Sequence, residues 1–230
     1  MAKQTVRSSL LLVPWPETEW SATGRLSSRT PLPLTDRGRR QARAWSAELV
    51  ELTVAGVYSA DEQASKETAE ILMGAHDTRH KIMPGLAEVD IGLWEGLTSE
   101  ELNRRYPKVY KRWREEPQSV CPPEGESVSA AQMRITEAIE KATAKLSGKA
   151  AIVVLGPLAF GLARESFEHV PCEATSHSCS GAPIAYDFLD TDGGDRVYCV
   201  VERVFADIVV SPSTQVEAGQ CQPSADKKTG

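Results

Sequence analysis

The sequence predicts a three-layer α/β/α domain built on a mostly parallel central sheet. Short runs, apolar nearly throughout and bounded by turn-forming residues, recur along the chain: Ser8 to Val13, stopped by Pro14, then Val54 to Tyr58, then Ala150 to Leu155. Runs of this kind belong to strands buried on both faces. Between them lie segments with apolar residues at helical spacing, and strands alternating with helices make a parallel sheet covered on both sides. The size agrees. A chain of 230 residues, 41% hydrophobic and 25% charged, suffices for one well-buried domain, and a second full domain is not expected.

The elements follow in order. Pro14 to Pro33 is rich in Ser, Thr, Pro and Gly and reads as irregular. A helix is predicted from Asp36, with Ala42, Trp45, Leu49 and Leu52 at helical spacing and Thr35 placed to cap it. The strand Val54 to Tyr58 leads into a helix over Glu62 to Met73, and Lys81 to Met83 supply a third strand. Thr98 to Arg114 has helical character broken at Pro107, and Pro117 to Pro123 is a loop. A long amphipathic helix is predicted from Ser127 to Leu146, with Met133, Ile135, Ala138, Ile139 and Ala142 on its apolar face. After the strand Ala150 to Leu155, Pro157 suits the first position of another helix, where its missing N–H is not needed. Ile184 to Leu189 and Val197 to Val204 flank an Asp-Gly-Gly turn and read as a β-hairpin. The domain is predicted to span 1–210, and the polar, aperiodic stretch 211–230 is expected to be a disordered tail.

Charge and cysteine usage narrow the function classes. A net charge of -6 and a pI near 5.4 repel phosphate backbones and anionic lipid, so neither nucleic acid nor a membrane is an expected partner. The apolar run LLLV near the N-terminus is too short for a signal-peptide core or a membrane span. Five irregularly spaced cysteines, Cys121, Cys172, Cys179, Cys199 and Cys221, suit reduced thiols in the cytoplasm rather than a disulfide scaffold. No cofactor is expected. The partner is an unknown protein or small molecule, with a homo-oligomer possible.

Several stretches carry a family resemblance. LLLVPWPETEW, followed by Gly24-Arg25 and PLTDRGRRQA, opens it. VYSADEQASKETAEIL, LAEVDIGLWEGLT, YPKVYKRW, PPEGESV and AAIVVLGPLAF continue it in order. Over about Ser8 to Arg164 the chain resembles the histidine phosphatase (phosphoglycerate mutase-like) superfamily. The resemblance implies an α/β fold and phosphoryl chemistry: a histidine from an Arg-His-Gly motif attacks phosphorus, two arginines and a second histidine hold the oxygens, and an acid donates a proton. Such a site works mainly by positioning the phosphoryl group and stabilising its charge with cations.

The matched positions depart from that pattern. Arg-His-Gly aligns with Pro14, Trp15 and Pro16, the second arginine with Ala64, and the second histidine with Gly156, while the acid remains as Glu88 and Arg25 survives nearby. An indole offers only an N–H donor and cannot attack phosphorus. No catalytic set is intact on this reading. The expectation is a pseudophosphatase: a catalytically inactive protein with a binding or regulatory role and a vestigial pocket of Pro14, Trp15, Pro16, Arg25, Ala64, Glu88 and Gly156. Two alternatives stand beside it. One is a phosphatase or mutase acting through unconventional residues. The other is a small-molecule sensor using the altered pocket. Trp15 is read first as a plug of the old phosphate site and second as a stacking platform.

Two further features bear on metals and partners. His169, Cys172, His177 and Cys179 are zinc-ligand types at close spacing, but the pattern matches no common zinc module and no metal is expected. Arg104, Arg105, Lys108, Lys111, Arg112 and Arg114 form a basic run, read as a solvated face with a docking patch for an acidic partner as the alternative.

Overall fold

Strand β1 (Ser8–Pro14) shows why the sheet must be covered on both sides. In the computed structural model, which describes residues 8–168, 183–190 and 196–201, its alternate residues enter two separate cores. Leu11, Val13 and Trp15 join one apolar cluster, and Leu10 and Leu12 join the other. Successive side chains of a strand point to opposite faces, so a run that is apolar throughout needs helices above and below.

The remaining strands are β2 (Val54–Ser59), β3 (His80–Ile82), β4 (Ala150–Leu155), β5 (Ile184–Asp190) and β6 (Arg196–Val201). Their order across the sheet is β3-β2-β4-β1-β5-β6. The first four are mutually parallel, β5 runs antiparallel to β1, and β5 and β6 pair as an antiparallel hairpin. The mostly parallel sheet and the hairpin are as expected.

The helices are α1 (Glu19–Ala22), α2 (Asp36–Glu48), α3 (Gln63–Met73), α4 (Ser99–Arg105), α5 (Pro107–Glu115), α6 (Val128–Thr143) and α7 (Pro157–Glu168). Helices α2 and α3 cover one face: Ala42, Trp45, Ala69 and Leu72 pack with Leu11, Val13, Val57, Ile152 and Val154. Helices α6 and α7 cover the other, with Ile135, Ile139, Phe160 and Ala163 against Leu10, Leu12, Val153 and Leu155. Trp94 and Trp113 meet edge to face at 5.1 Å between ring centres and anchor the α4–α5 excursion to that second core.

Helix α2 begins where its cap was expected. Thr35 is extended, and its hydroxyl accepts the Gly38 N–H at 3.0 Å. That hydroxyl also donates to Glu17 Oε1 at 2.8 Å. Thr35→Ala is expected to cost about 1 kcal/mol, read from the urea midpoint at unchanged slope.

Some boundaries differ from expectation. The stretch Pro14 to Pro33 holds α1, started by a reciprocal cap between Thr18 and Ser21. The third strand begins one residue earlier than expected, at His80, and α6 stops at Thr143 rather than Leu146. Met133 is not on the apolar face of α6 and is 67% exposed. The buried stripe runs through Val128, Ala131, Ile135, Ala138, Ile139 and Ala142, and a residue two places from both Ala131 and Ile135 points the opposite way on a helix with 3.6 residues per turn.

The basic run Arg104 to Arg114 lies exposed on α4 and α5. Cys121 is an exposed free thiol, and Cys199 lies in β6. The tail 211–230, the end of the domain at 210, and His169, Cys172, His177 and Cys179 lie outside the described residues. Among the described residues no helix is long and apolar enough to cross a membrane, and no three His, Cys, Asp or Glu side chains group to hold a metal.

Candidate active site

In an open parallel sheet, the carboxyl ends of the strands face the crevice where ligands bind. Here the residue after β1 is Trp15 and the residue after β4 is Gly156. Parallel pairing sets them side by side, since Pro14 is in register with Leu155 and the Trp15 N–H donates to the Leu155 carbonyl at 2.9 Å. Period-two alternation puts Trp15 on the same side as Leu11 and Val13, in the cluster that also holds Ala64 from the first turn of α3. The indole is 5% exposed. Pro14 and Pro16 are buried beside it.

Gly156 is a glycine because of what surrounds it. A Cβ there would lie 2.6 Å from Trp15 Cη2 and 2.6 Å from the Glu88 carboxyl carbon, well inside contact distance. No side chain fits at position 156 while Trp15 and Glu88 keep their places.

Glu88 is buried, 4% exposed, and caps α7 from a distant part of the chain. Its Oε2 accepts the Leu158 N–H at 2.9 Å, and its Oε1 accepts Ala159 N–H at 2.8 Å and Val89 N–H at 2.6 Å. Residue 156 has no side chain to cap this helix, and the carboxyl of Glu88 takes over that task. Burial pushes its pKa up to about 8; the three N–H donors work against that rise, and the nearby charge of Glu62 adds to it.

A cleft of about 840 Å³ opens alongside. Glu88 and Glu62 line it with Arg29, Lys66 and Arg134. Glu62, at the head of α3, accepts the Glu88 N–H on Oε1 at 2.8 Å, while its Oε2 is buried without a hydrogen-bond partner among the described residues. Burial raises the Glu62 pKa, with Arg134 opposing. At the rim, Arg29 pairs with Asp90, and Lys66 pairs with Asp61 at 2.8 Å. The loop that carries Arg29 is anchored by Glu95, which accepts Ser28 N–H and Thr30 N–H at 3.0 Å each. Burial raises the Glu95 pKa, but the Ser28 hydroxyl and these N–H groups outweigh it and hold the carboxyl below its usual value.

Of the sequence-predicted residues, the structure brings Trp15, Ala64, Glu88 and Gly156 to one edge of the sheet. Arg25 is a correction. Its guanidinium donates to Gly96 O at 2.6 Å and to Glu101 at 3.3 Å, away from Glu88, because the chain at Arg25 is bridged to Thr98. Sequence reasoning missed Glu62, Arg134, Glu126, Arg29 and Lys66. The available signal was slight: an acidic pair, Asp61-Glu62, between a strand end and a helix, and a Glu just before α6 with an Arg eight residues on, inside it.

The family model that describes the histidine phosphatase superfamily (branch 1) matches residues 10–178. A protein of Hydrogenobacter thermophilus named phosphoserine phosphatase 1 is 29% identical over 145 residues, 63% of this chain and 69% of that one. The adenosylcobalamin/alpha-ribazole phosphatase of Salmonella typhimurium is 28% identical over 132 residues, 57% of this chain but 65% of the relative, so the match leaves about a third of that protein's length uncovered. Among solved structures, Bacillus stearothermophilus YhfR superposes with a TM-score of 0.73 at 24% identity, covering 84% of this chain and 95% of that one, which speaks for the fold alone. The expectation of a protein that is not an enzyme is overturned by these relatives, which are named as phosphatases. The three-layer sheet, the cleft at its carboxyl edge and the family match over most of the described chain lead to one conclusion: this chain belongs to the histidine phosphatase superfamily (branch 1).

Proposed function

We propose that the chain hydrolyses a small phosphomonoester in the cleft beside Glu88, using carboxyl groups where most of its family uses a histidine nucleophile. The observation that carries this reading is Glu88 itself, a carboxyl with a pKa raised to about 8 beside a cleft that also carries Arg29 and Lys66. A carboxyl that keeps its proton at neutral pH is a competent general acid. The relatives named as phosphatases support a phosphate ester as the substrate class.

The chemistry follows from the groups available. Trp15 stands where the histidine is expected and supplies no nucleophile, so water attacks phosphorus directly. Arg29 and Lys66 turn from Asp90 and Asp61 to the phosphoryl oxygens, whose spread charge calls for cations. The P–O ester bond breaks as the water oxygen bonds to phosphorus. Glu88 gives its proton to the leaving alkoxide, and the unpartnered Oε2 of Glu62 takes the proton released by water. Exchange with solvent restores both carboxyls.

The test is release of inorganic phosphate from a panel of phosphomonoesters. Turnover should coelute with the protein and fall as pH rises through about 8, where Glu88 loses its proton. Glu88→Gln should lower kcat by about 10²-fold or more. Turnover that is indifferent to Glu88→Gln, or no turnover with any ester, overturns the proposal.

A further inference from the structure

We infer that Arg134 is a positioning residue that sets the placement of Glu88. The inference deepens the reading of Glu88 as the proton donor and rests on it. The guanidinium of Arg134 projects from α6 against the segment that carries Glu88. Its Nη1 donates to the carbonyls of Gly85 and Ala87, each at 3.0 Å. Its Nη2 and Nε donate to the carboxylate of Glu126 at 2.5 and 3.4 Å. Glu126 in turn accepts the Asp90 N–H at 3.0 Å and donates its own N–H to the Asp90 carbonyl at 2.9 Å. Residues 85, 87 and 90 are thus held on both sides of Glu88, whose own N–H is taken by Glu62.

The segment needs such an anchor. Apart from the single turn Pro84–Leu86, it has no regular structure before Ile91. The carboxyl of Glu88 must nevertheless reach two N–H groups at the head of α7 and lie against Gly156. One planar fork that satisfies two carbonyls and a carboxylate transfers the rigidity of a 16-residue helix to that strip of chain. A lysine ammonium is compact and lacks the fork, so it cannot hold the three acceptors together. Arg134 therefore acts on the cleft through Glu88 rather than on the phosphoryl group.

Positioning and charge predict different results for the charge-conserving Arg134→Lys variant, which makes the inference testable. Glu62, at the head of α3, is the charged neighbour that acts on Glu88, and Arg134 acts on Glu62. The experiment is a ¹³C-NMR titration of the Glu88 carboxyl in wild type, Arg134→Lys and Arg134→Gln, with kcat and KM measured beside it. If Arg134 positions Glu88, both variants release the carboxyl to water, and its pKa falls by about one pH unit or more. In both, kcat drops about tenfold with KM changed less. If Arg134 acted by charge through Glu62, Arg134→Lys would keep the wild-type titration and only Arg134→Gln would move it, and that result overturns the inference. A lowered Tm with the Glu88 titration unmoved also overturns it, since that marks a merely structural role. Glu126→Gln, which loosens the same fork without removing Arg134, should shift the titration in the same direction by less and serves if the Arg134 variants do not fold. The titration needs no turnover, so failure of the proposed hydrolysis and failure of the positioning role are read separately.

Discussion

Trp15→Ala is expected to destabilise the protein by about 3–5 kcal/mol, the range for emptying a large aromatic site in a well-packed core. The indole is 5% exposed, lies in the cluster that joins β1 to α2 and α3, and has its Cη2 within 2.6 Å of where a Cβ on Gly156 would be. Its neighbours are backbone-defined: β4 pairs with β1 in parallel register, and the head of α7 is held by Glu88. Neither can collapse into the space, so the cavity term adds to the lost burial. For a domain of this size each kcal/mol lowers Tm by about 2–4 °C. Calorimetry with a urea midpoint at unchanged slope measures both. A loss below about 1 kcal/mol would mean that Trp15 is not a packed plug of the sheet edge.

Stability should also fall as pH rises between about 4.5 and 8, and Glu88→Gln should remove most of that slope. The Glu88 carboxyl has a pKa of about 8 when folded against 4.5 as the ordinary value. In that window the folded protein keeps a proton that the unfolded chain has released, so stability is full below the lower value and is lost on approach to the upper one. Glu62, also raised by burial, contributes with the same sign. At about 1.4 kcal/mol per pH unit, the upper limit for Glu88 is about 5 kcal/mol across the window. Urea titrations at several pH values give the slope directly. Stability that is flat or rising across the window, with Glu88→Gln parallel to wild type, would show that the three N–H groups around the carboxyl keep it ionised instead.

The elements of the fold were largely legible in the chain because their signals are local. The fully apolar β4, the Thr35 cap of α2 and Pro157 at the first position of α7 all sit as expected. Each depends on residues within one or two turns of itself. Met133 shows the limit: it is apolar and near the helical stripe, yet the stripe is selected by what packs beneath α6, and that surface comes from β1, β4 and α7.

The position of Trp15 was determined by the sequence itself, because alternation from Leu11 and Val13 and the end of a strand at Pro14 leave one place for its side chain. The chemistry of the cleft was not. The resemblance placed Glu88 in the pocket, but not the N–H groups at the head of α7, 70 and 71 residues away, that hold its carboxyl, nor Arg134, which reaches the carbonyls of Gly85 and Ala87 across 49 and 47 residues. Arg25 stood near the first motif in sequence and yet turns toward Glu101. Periodicity and turn chemistry act between neighbours on the chain and can be read along it. The burial and pairing of a charge depend on which distant segments close around it, and only the tertiary structure decided that.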